Sequence, residues 1–187
     1  MNNIIYLKGL YDDNIMELLT PSHIIESNNQ ILNEKKNLTS VKRIIRECNS
    51  LYSIYPSVVV NIVSDEITIT VSENVNNKTY NYKFVLRDGY PFKPPRIFFN
   101  NRPYIDFLKM NGDYEKKIVK KVRGQDCLCC YSINCADNWT PAIKINVIID
   151  EIKGILQFKR DVINSFLGQK IEQKYNIPQG CISSYLI

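Results

Sequence analysis

The sequence predicts an α+β fold in which helices flank an antiparallel β-sheet. Residues 57–100 hold four short runs that are β-branched or alternate between apolar and polar residues, and helical spacing of apolar residues occurs only before and after them. The turns between the first three runs are too short for the crossovers that parallel strands require. With 187 residues, 44% of them hydrophobic, the chain has the size and composition of one ordinary globular domain.

The first firm helix is predicted from about Thr39 until Pro56, which ends the pattern. Its apolar residues recur at helical spacing, and Cys48 lies on that apolar stripe, where we expect a plain core residue. Residues 1–38 form a polar, Asn-rich N-terminal extension, which contains the only histidine, His23. We therefore divide the chain into this extension and one domain over residues 39–187.

Four strands are expected next, as an antiparallel meander. The run "SVVVNIV" (57–63) is β-branched, whereas "ITITV" (67–71) and "TYNYKFVL" (79–86) alternate with period two. The turn "DGYPFKPP" separates the third strand from the fourth, "RIFFN" (96–100), because its prolines forbid helix and favour extended backbone.

A long coil and two C-terminal helices are predicted after the sheet. Residues 100–138 hold no long periodic segment, and their charged part, residues 108–123, is interpreted as an insertion that forms a short helix or a flap. Apolar residues then line one side of a helix over residues 142–158, with Pro141 at its start. A last helix is expected over about residues 160–175.

Composition and charge argue against a nucleic-acid-binding, a membrane-spanning or a secreted protein. The net charge is only +5, and the basic groups are not interleaved with aromatic residues as in nucleic-acid-binding chains, so nucleic acid is not an expected partner. No run of about 20 apolar residues is present, so no membrane partner is expected. The N-terminus does not resemble a signal peptide, which predicts an intracellular, cytoplasmic protein.

Four of the six cysteines lie close together in "GQDCLCCYSINCADNWTPA" (124–142). A zinc site would normally show a second ligand pair, and we expect strain if the adjacent Cys129 and Cys130 enter one tetrahedral site. Structural disulfides are rare in intracellular proteins. A single exposed thiolate can carry an acyl group as a thioester. These residues alone leave the metal site, the disulfide and the nucleophile open.

Four motifs resemble those of the ubiquitin-conjugating enzyme (UBC-like) family and occur in the same order. They are "VKRIIREC" (41–48), "YPFKPPRIFF" (90–99), "GQDCL" (124–128) and "WTPA" (139–142). The second is similar to the family's Tyr-Pro-Phe-x-Pro-Pro stretch, and the third to its Gly-x-x-Cys-Leu signature. The resemblance spans roughly residues 39–158, and it implies an N-terminal helix, a four-stranded meander, a long active-site coil and two C-terminal helices.

The resemblance implies a transferase of the ubiquitin-like (Ubl) conjugation pathway that uses a cysteine nucleophile. Cys127 holds the signature position, whereas Cys129 and Cys130 are rivals because they lie closer to Trp139, and the family's usual spacing between Cys and Trp is shorter than twelve residues. An activating enzyme would hand ubiquitin or a ubiquitin-like modifier to the thiol, and a substrate lysine would then attack the thioester. Neither a metal nor another cofactor is implied.

The resemblance also implies two sets of partner contacts. A basic set on the first helix would meet the activating enzyme, and a set on two neighbouring loops would dock a ligase. The alternatives are a solvated helix face for the first set, and loop rigidity or core packing for Phe92 and the prolines. The activating-enzyme set comprises Lys42, Arg43 and Arg46, and the ligase set comprises Phe92, Pro141 and Ala142.

The chain departs from the family where a His-Pro-Asn tripeptide follows the fourth strand. Ile105, Asp106 and Phe107 stand there, so the asparagine amide that is thought to stabilise the oxyanion is missing. Loss of one oxyanion donor costs on the order of 10²–10³ in rate in hydrolases. The family's acidic residues after the helix that follows Trp are represented only by Asp161. Asn111, Asn134 and Asn138 are the candidates to replace the missing amide.

Three functions therefore compete. The first is an active conjugating enzyme with a remodelled catalytic loop, which the Gly-x-x-Cys-Leu signature favours. The second is a catalytically inactive UBC-like fold that acts as a binding module of the ubiquitin pathway, which the missing asparagine favours. The third is an unrelated α+β protein whose cysteines bind a metal.

Overall fold

The computed structural model describes residues 38–63, 66–87, 89–110, 112–124 and 127–182. The predicted N-terminal extension, residues 1–38, lies outside the described residues except for Leu38, and His23 with it. The chain divides into two compact units. The first unit comprises the described residues up to Phe107, together with the later segment Asn134–Val147. The second unit comprises Leu108–Ile133 and the described residues from Ile148 onward. Helices and one antiparallel sheet confirm the α+β class.

The sheet of the first unit is an antiparallel meander in which each strand pairs with its neighbours in sequence. The four predicted strands are present, and a fifth, of two residues, follows them. Their bounds are β1 Ser57–Val63, β2 Glu66–Val75, β3 Lys78–Leu86, β4 Arg96–Phe99 and β5 Arg102–Pro103.

Two Asn-Asn pairs close hairpins of this sheet. Asn76 and Asn77 join β2 to β3 with φ angles of 51° and 60°, and Asn100 and Asn101 join β4 to β5 with 48° and 63°. Positive φ at both central residues is the mark of a type I′ turn, in which asparagine is among the favoured residues. The prediction of four strands was therefore wrong by one, because the second Asn-Asn pair turns the chain back instead of starting a coil.

The sheet has one apolar face. In cross-strand register, Val60 lies opposite Ile69, Ile69 opposite Phe84, and Phe84 opposite Ile97. All four side chains are buried, as period-two alternation requires when one face of a sheet forms the core.

The first helix, α1, spans Leu38–Ile54, and Ile44 and Leu51 on it are fully buried. Cys48 on the same helix is half-buried, and burial raises the pKa of its thiol to about 12. This thiol is therefore almost entirely protonated near neutral pH and is not a candidate nucleophile.

The segment predicted as a long coil contains helices. After β5, Tyr104–Phe107 forms α2, and in the second unit Asp113–Arg123 forms α3. The expectation of a short helix or a flap at residues 108–123 is thus resolved as a helix. Val119 is buried, whereas the lysines of this helix are exposed. The charged insertion is therefore an amphipathic helix that buries Val119 and exposes its lysines.

The two predicted C-terminal helices are one helix, α4, which runs without a break from Ile145 to Tyr175. No proline lies in the expected gap, and Gln157 donates a hydrogen bond to Asp161 across it, at 2.8 Å. Helical backbone therefore continues where the prediction placed a break. None of the helices in the described part of the chain is both long and apolar enough to cross a membrane.

The predicted start of this helix at Pro141 was also wrong. Pro141 lies in a turn in which the Ile143 N–H donates to the Thr140 carbonyl at 3.0 Å. The helix begins at Ile145, where the side chain of Glu47 accepts the Ile145 N–H at 3.0 Å. A carboxylate at this place satisfies a helix N–H that has no intrahelical partner and interacts favourably with the helix dipole.

Candidate active site

Three of the predicted thiols converge in the second unit. The Sγ atoms of Cys127 and Cys129 are 2.8 Å apart, those of Cys127 and Cys130 are 3.5 Å apart, and those of Cys129 and Cys130 are 3.9 Å apart. Cys127 and Cys129 are half-buried and Cys130 is exposed. We call these three residues the thiol cluster. Cys127 is thus partly exposed, as the thiol of a nucleophile must be.

A glycine and a short turn place the thiol cluster. Helix α3 ends at Gly124, which has φ 75° and donates its N–H to the Lys120 carbonyl at 2.8 Å. A Cβ at Gly124 would meet no atom within 4 Å, so this position needs glycine for its left-handed backbone and not for space. Downstream, Leu128 is buried and anchors the start of the 3₁₀ turn Cys129–Tyr131.

The far end of the segment is fastened by Glu151 on α4. The buried Ser132 hydroxyl donates to one carboxylate oxygen of Glu151 at 3.1 Å, and the Ile133 N–H donates to the other at 2.8 Å. Both carboxylate oxygens are therefore used directly after the thiol cluster. Glu151 was missed at the sequence level, where its only signal was a carboxylate between the apolar residues of a helix.

Hydrogen bonds among the three thiols shift their pKa values in opposite directions. Hydrogen bonds from Cys129 and Cys130 favour a thiolate at Cys127 and lower the pKa of that thiol. The same interaction raises the pKa of Cys129, and it raises the pKa of Cys130 to about 11. Of the three, Cys127 is therefore the first to lose its proton.

The fourth cysteine of the sequence cluster does not join the other three. Cys135 belongs to the first unit, and its carbonyl accepts the N–H groups of Asn138 and Trp139 at 3.0 and 2.9 Å. It closes a turn. Of the candidates to replace the family asparagine, Asn138 is part of this turn, Asn134 directly precedes it, and Asn111 lies outside the described residues.

The two loops assigned to ligase docking are joined within the first unit. The indole Nε1–H of Trp139 donates to the Pro91 carbonyl at 2.9 Å, and the rings of Tyr90 and Trp139 lie 6.3 Å apart. The peptide bond between Tyr90 and Pro91 is cis. The side chain of Phe92 is 70% exposed, and the predicted loop residues Pro141 and Ala142 are exposed as well.

The basic residues assigned to the activating enzyme differ in their surroundings on α1. Lys42 and Arg46 are exposed. Arg43 is bound within the protein, where its guanidinium contacts the Glu47 carboxylate at 2.6 Å and donates to the Ile143 carbonyl at 2.8 Å. This arginine therefore has a structural partner, which the sequence pattern did not indicate.

Asp161 is the one acidic residue that the sequence retains directly after the predicted helix that follows Trp139. Its carboxylate accepts the hydrogen bond from Gln157. Its neighbour Lys159 donates to the Lys109 carbonyl at 3.0 Å, and burial lowers the pKa of this amine. Both side chains thus take part in local contacts of the second unit.

Comparison with known proteins identifies no relative for this chain. No protein-family model, no curated protein and no solved structure matches it.

Proposed function

We propose that the protein accepts ubiquitin or a ubiquitin-like modifier as a thioester on Cys127 and passes it to lysine, as ubiquitin-conjugating enzymes do. The observation that carries the proposal is the thiol cluster. Cys127 is partly exposed and has two thiol neighbours, at 2.8 and 3.5 Å, whose S–H groups can donate to its sulfur. A thiolate held in this way is the form that attacks a carbonyl carbon.

The chemistry has two balanced steps. The Cys127 thiolate attacks the carbonyl carbon of the modifier's C-terminal thioester on the activating enzyme; the new C–S bond forms as the old one breaks, and the activating enzyme's thiolate leaves. A neutral lysine amine then attacks the carbonyl carbon of the new thioester; the C–N bond forms as the C–S bond breaks, Cys127 leaves as a thiolate, and the proton of the amine passes to water or to that thiolate. Hydrogen bonds from Cys129 and Cys130 would stabilise Cys127 as leaving group in this second step.

Features of the first unit support the same proposal. A helix with exposed Lys42 and Arg46 precedes an antiparallel meander, as in the UBC-like arrangement that the sequence motifs imply. The loop that exposes Phe92 is tied to the loop of Trp139 by a hydrogen bond. An exposed aromatic side chain on a braced loop suits a docking surface for a ligase. The fused helix α4, the added helices α2 and α3 and the fifth strand depart from the implied arrangement.

A second candidate is the inactive binding module, and a specific observation favours it. Where the family has its tripeptide, this chain has Ile105, Asp106 and Phe107, all within the short helix α2. None of these side chains carries an amide donor, and an ionised carboxylate only accepts hydrogen bonds. In this function the protein docks pathway partners without transferring the modifier.

A charging assay tests the proposal. The full chain is incubated with activating enzyme, ATP and ubiquitin, and in parallel with ubiquitin-like modifiers and their own activating enzymes, and is then run on a non-reducing gel. We expect a reductant-sensitive band in wild type. Cys127→Ser should replace it with a reductant-resistant oxyester or abolish it, whereas the exposed control Cys181→Ser should charge normally.

Two outcomes would contradict parts of the proposal. If no modifier charges the wild-type protein, while a known conjugating enzyme is charged in the same reaction, the thioester function is wrong. If the band survives Cys127→Ser unchanged but is lost in Cys129→Ser or Cys130→Ser, the nucleophile is one of the rivals. Discharge of the charged protein onto free lysine then separates the enzyme from the binding module, since only the enzyme transfers.

A further inference from the structure

We infer that the thiol cluster is also a binding site for one thiophilic d¹⁰ cation, such as Zn²⁺ or Cu⁺, held by the sulfurs of Cys127, Cys129 and Cys130. All three Sγ atoms lie within 4.8 Å of one another. The inference rests on this geometry and on the affinity of such cations for thiolates, and it does not depend on the thioester chemistry proposed above.

The sulfur spacing suits a bound ion. With metal–sulfur distances of about 2.3 Å, ligand sulfurs around one ion stand about 3.8–4.0 Å apart. The separations of 3.5 Å from Cys127 to Cys130 and 3.9 Å from Cys129 to Cys130 are near this value. The 2.8 Å pair, Cys127 and Cys129, has to open by about 1 Å and the 3.5 Å pair by less than half as much, which small side-chain rotations supply.

Adjacency of Cys129 and Cys130 does not prevent this arrangement. The sequence-level objection was that neighbouring residues would strain a common site. The 3₁₀ turn that begins at Cys129 brings both sulfurs to the same side as Cys127. Buried Leu128 and the contacts of Glu151 with the chain after the turn hold the segment at both ends, which limits the ordering cost of binding.

The number and the chemical type of the protein ligands determine which ions the site would hold. Within the described residues, the group consists of these three cysteines and includes no histidine or carboxylate. Three thiolates without a hard oxygen ligand select soft cations over Mg²⁺ or Ca²⁺. Cu⁺ can be held by three sulfurs alone, whereas Zn²⁺ would take a water or other external ligand as its fourth. Binding releases the thiol protons and involves no electron transfer.

Titration of the full chain with cadmium tests the site, because Cd²⁺ is a d¹⁰ ion with a thiolate charge-transfer absorption. We expect that absorption to saturate at one ion per chain in reduced, metal-free protein. Serine at Cys127, Cys129 or Cys130 should each weaken binding by at least about 100-fold, since loss of outer-shell partners alone costs 10–100-fold. Cys135→Ser and Cys181→Ser are the matched controls and should bind as wild type, with circular dichroism to verify folding of every variant.

Competition with chelating dyes for Zn²⁺ and for Cu⁺ then identifies the preferred ion. The inference is overturned if wild type takes up none of the three ions, or if the cluster variants bind as tightly as the two controls. The measurement uses no activating enzyme or modifier. Failure of metal binding therefore leaves the thioester proposal untouched, and failure of charging in metal-free protein leaves the metal site untouched.

Discussion

Glu47 gives the sharpest prediction about stability, because its carboxylate is almost completely buried and contacts three parts of the first unit. Its side chain is 2% exposed and lies 2.6 Å from the Arg43 guanidinium, whose side chain is 22% exposed. It also accepts the Ile145 N–H at 3.0 Å and the Tyr90 hydroxyl at 3.4 Å. Removing a carboxylate with these partners leaves a buried donor without an acceptor.

Two contributions set the loss of unfolding free energy expected for Glu47→Ala. A hydrogen bond to a charged group contributes about 1.5–3 kcal/mol, and an unsatisfied buried N–H costs about 1–3 kcal/mol. Arg43 keeps the Ile143 carbonyl and some access to water, so we take the lower half of each range. We expect Glu47→Ala to reduce the free energy of unfolding by about 3 kcal/mol, and Glu47→Gln, which keeps an acceptor for Ile145, to reduce it by about half as much.

Equilibrium unfolding in urea measures both values. The matched control is Glu66→Ala, which breaks the Glu66–Arg87 ion pair, in which the side chains are 53% and 58% exposed. An exposed pair of this kind contributes less than about 1 kcal/mol. If Glu47→Ala is no more destabilising than Glu66→Ala, the carboxylate does not join these segments and the reasoning fails.

Two further predictions concern the contacts that position the loops. Trp139→Phe removes the N–H that binds the Pro91 carbonyl but keeps an aromatic ring, and we expect a loss of about 1 kcal/mol in urea unfolding; an unchanged midpoint would contradict this contact. Glu151→Ala removes the carboxylate that accepts from the buried Ser132 hydroxyl and from the Ile133 N–H, and we expect it to reduce the free energy of unfolding by about 2 kcal/mol, whereas Glu151→Gln should cost clearly less. Equal losses for the two Glu151 variants would show that hydrogen bonding is not what this residue supplies.

The parts of the fold that sequence could predict are those set by local periodicity. The strands β2 and β3 follow from alternation within each run, because a strand's faces are defined by its own residues, and β1 follows from its β-branched composition. The strand β4 follows from the proline-rich turn before it, which favours extended backbone. The continuity of α4 and the turn at Asn100-Asn101 were missed, although no proline or glycine lies at the expected break over residues 158–160 and the Asn-Asn pair carries a hairpin signal.

The candidate site was predictable only in part, for a different physical reason. The Cys127 position could be proposed from its flanking residues, but the approach of Cys129 and Cys130 depends on a 3₁₀ turn that no periodicity indicates. Glu47 and Glu151 act on residues 98 and 18 positions away. Such pairings depend on how the chain folds back, which local patterns do not encode.

The simple connectivity of the sheet has a consequence for the order in which the protein is assembled. In the described part of the chain, each strand pair joins neighbours in sequence, so the sheet forms through contacts of short sequence separation, which favour rapid folding. Its last residue, Pro103, precedes Cys127, and during synthesis the whole sheet leaves the ribosome before the first thiol of the cluster. The rate at which the sheet forms should therefore be independent of the state of those thiols, whether they are reduced, acylated or bound to an ion.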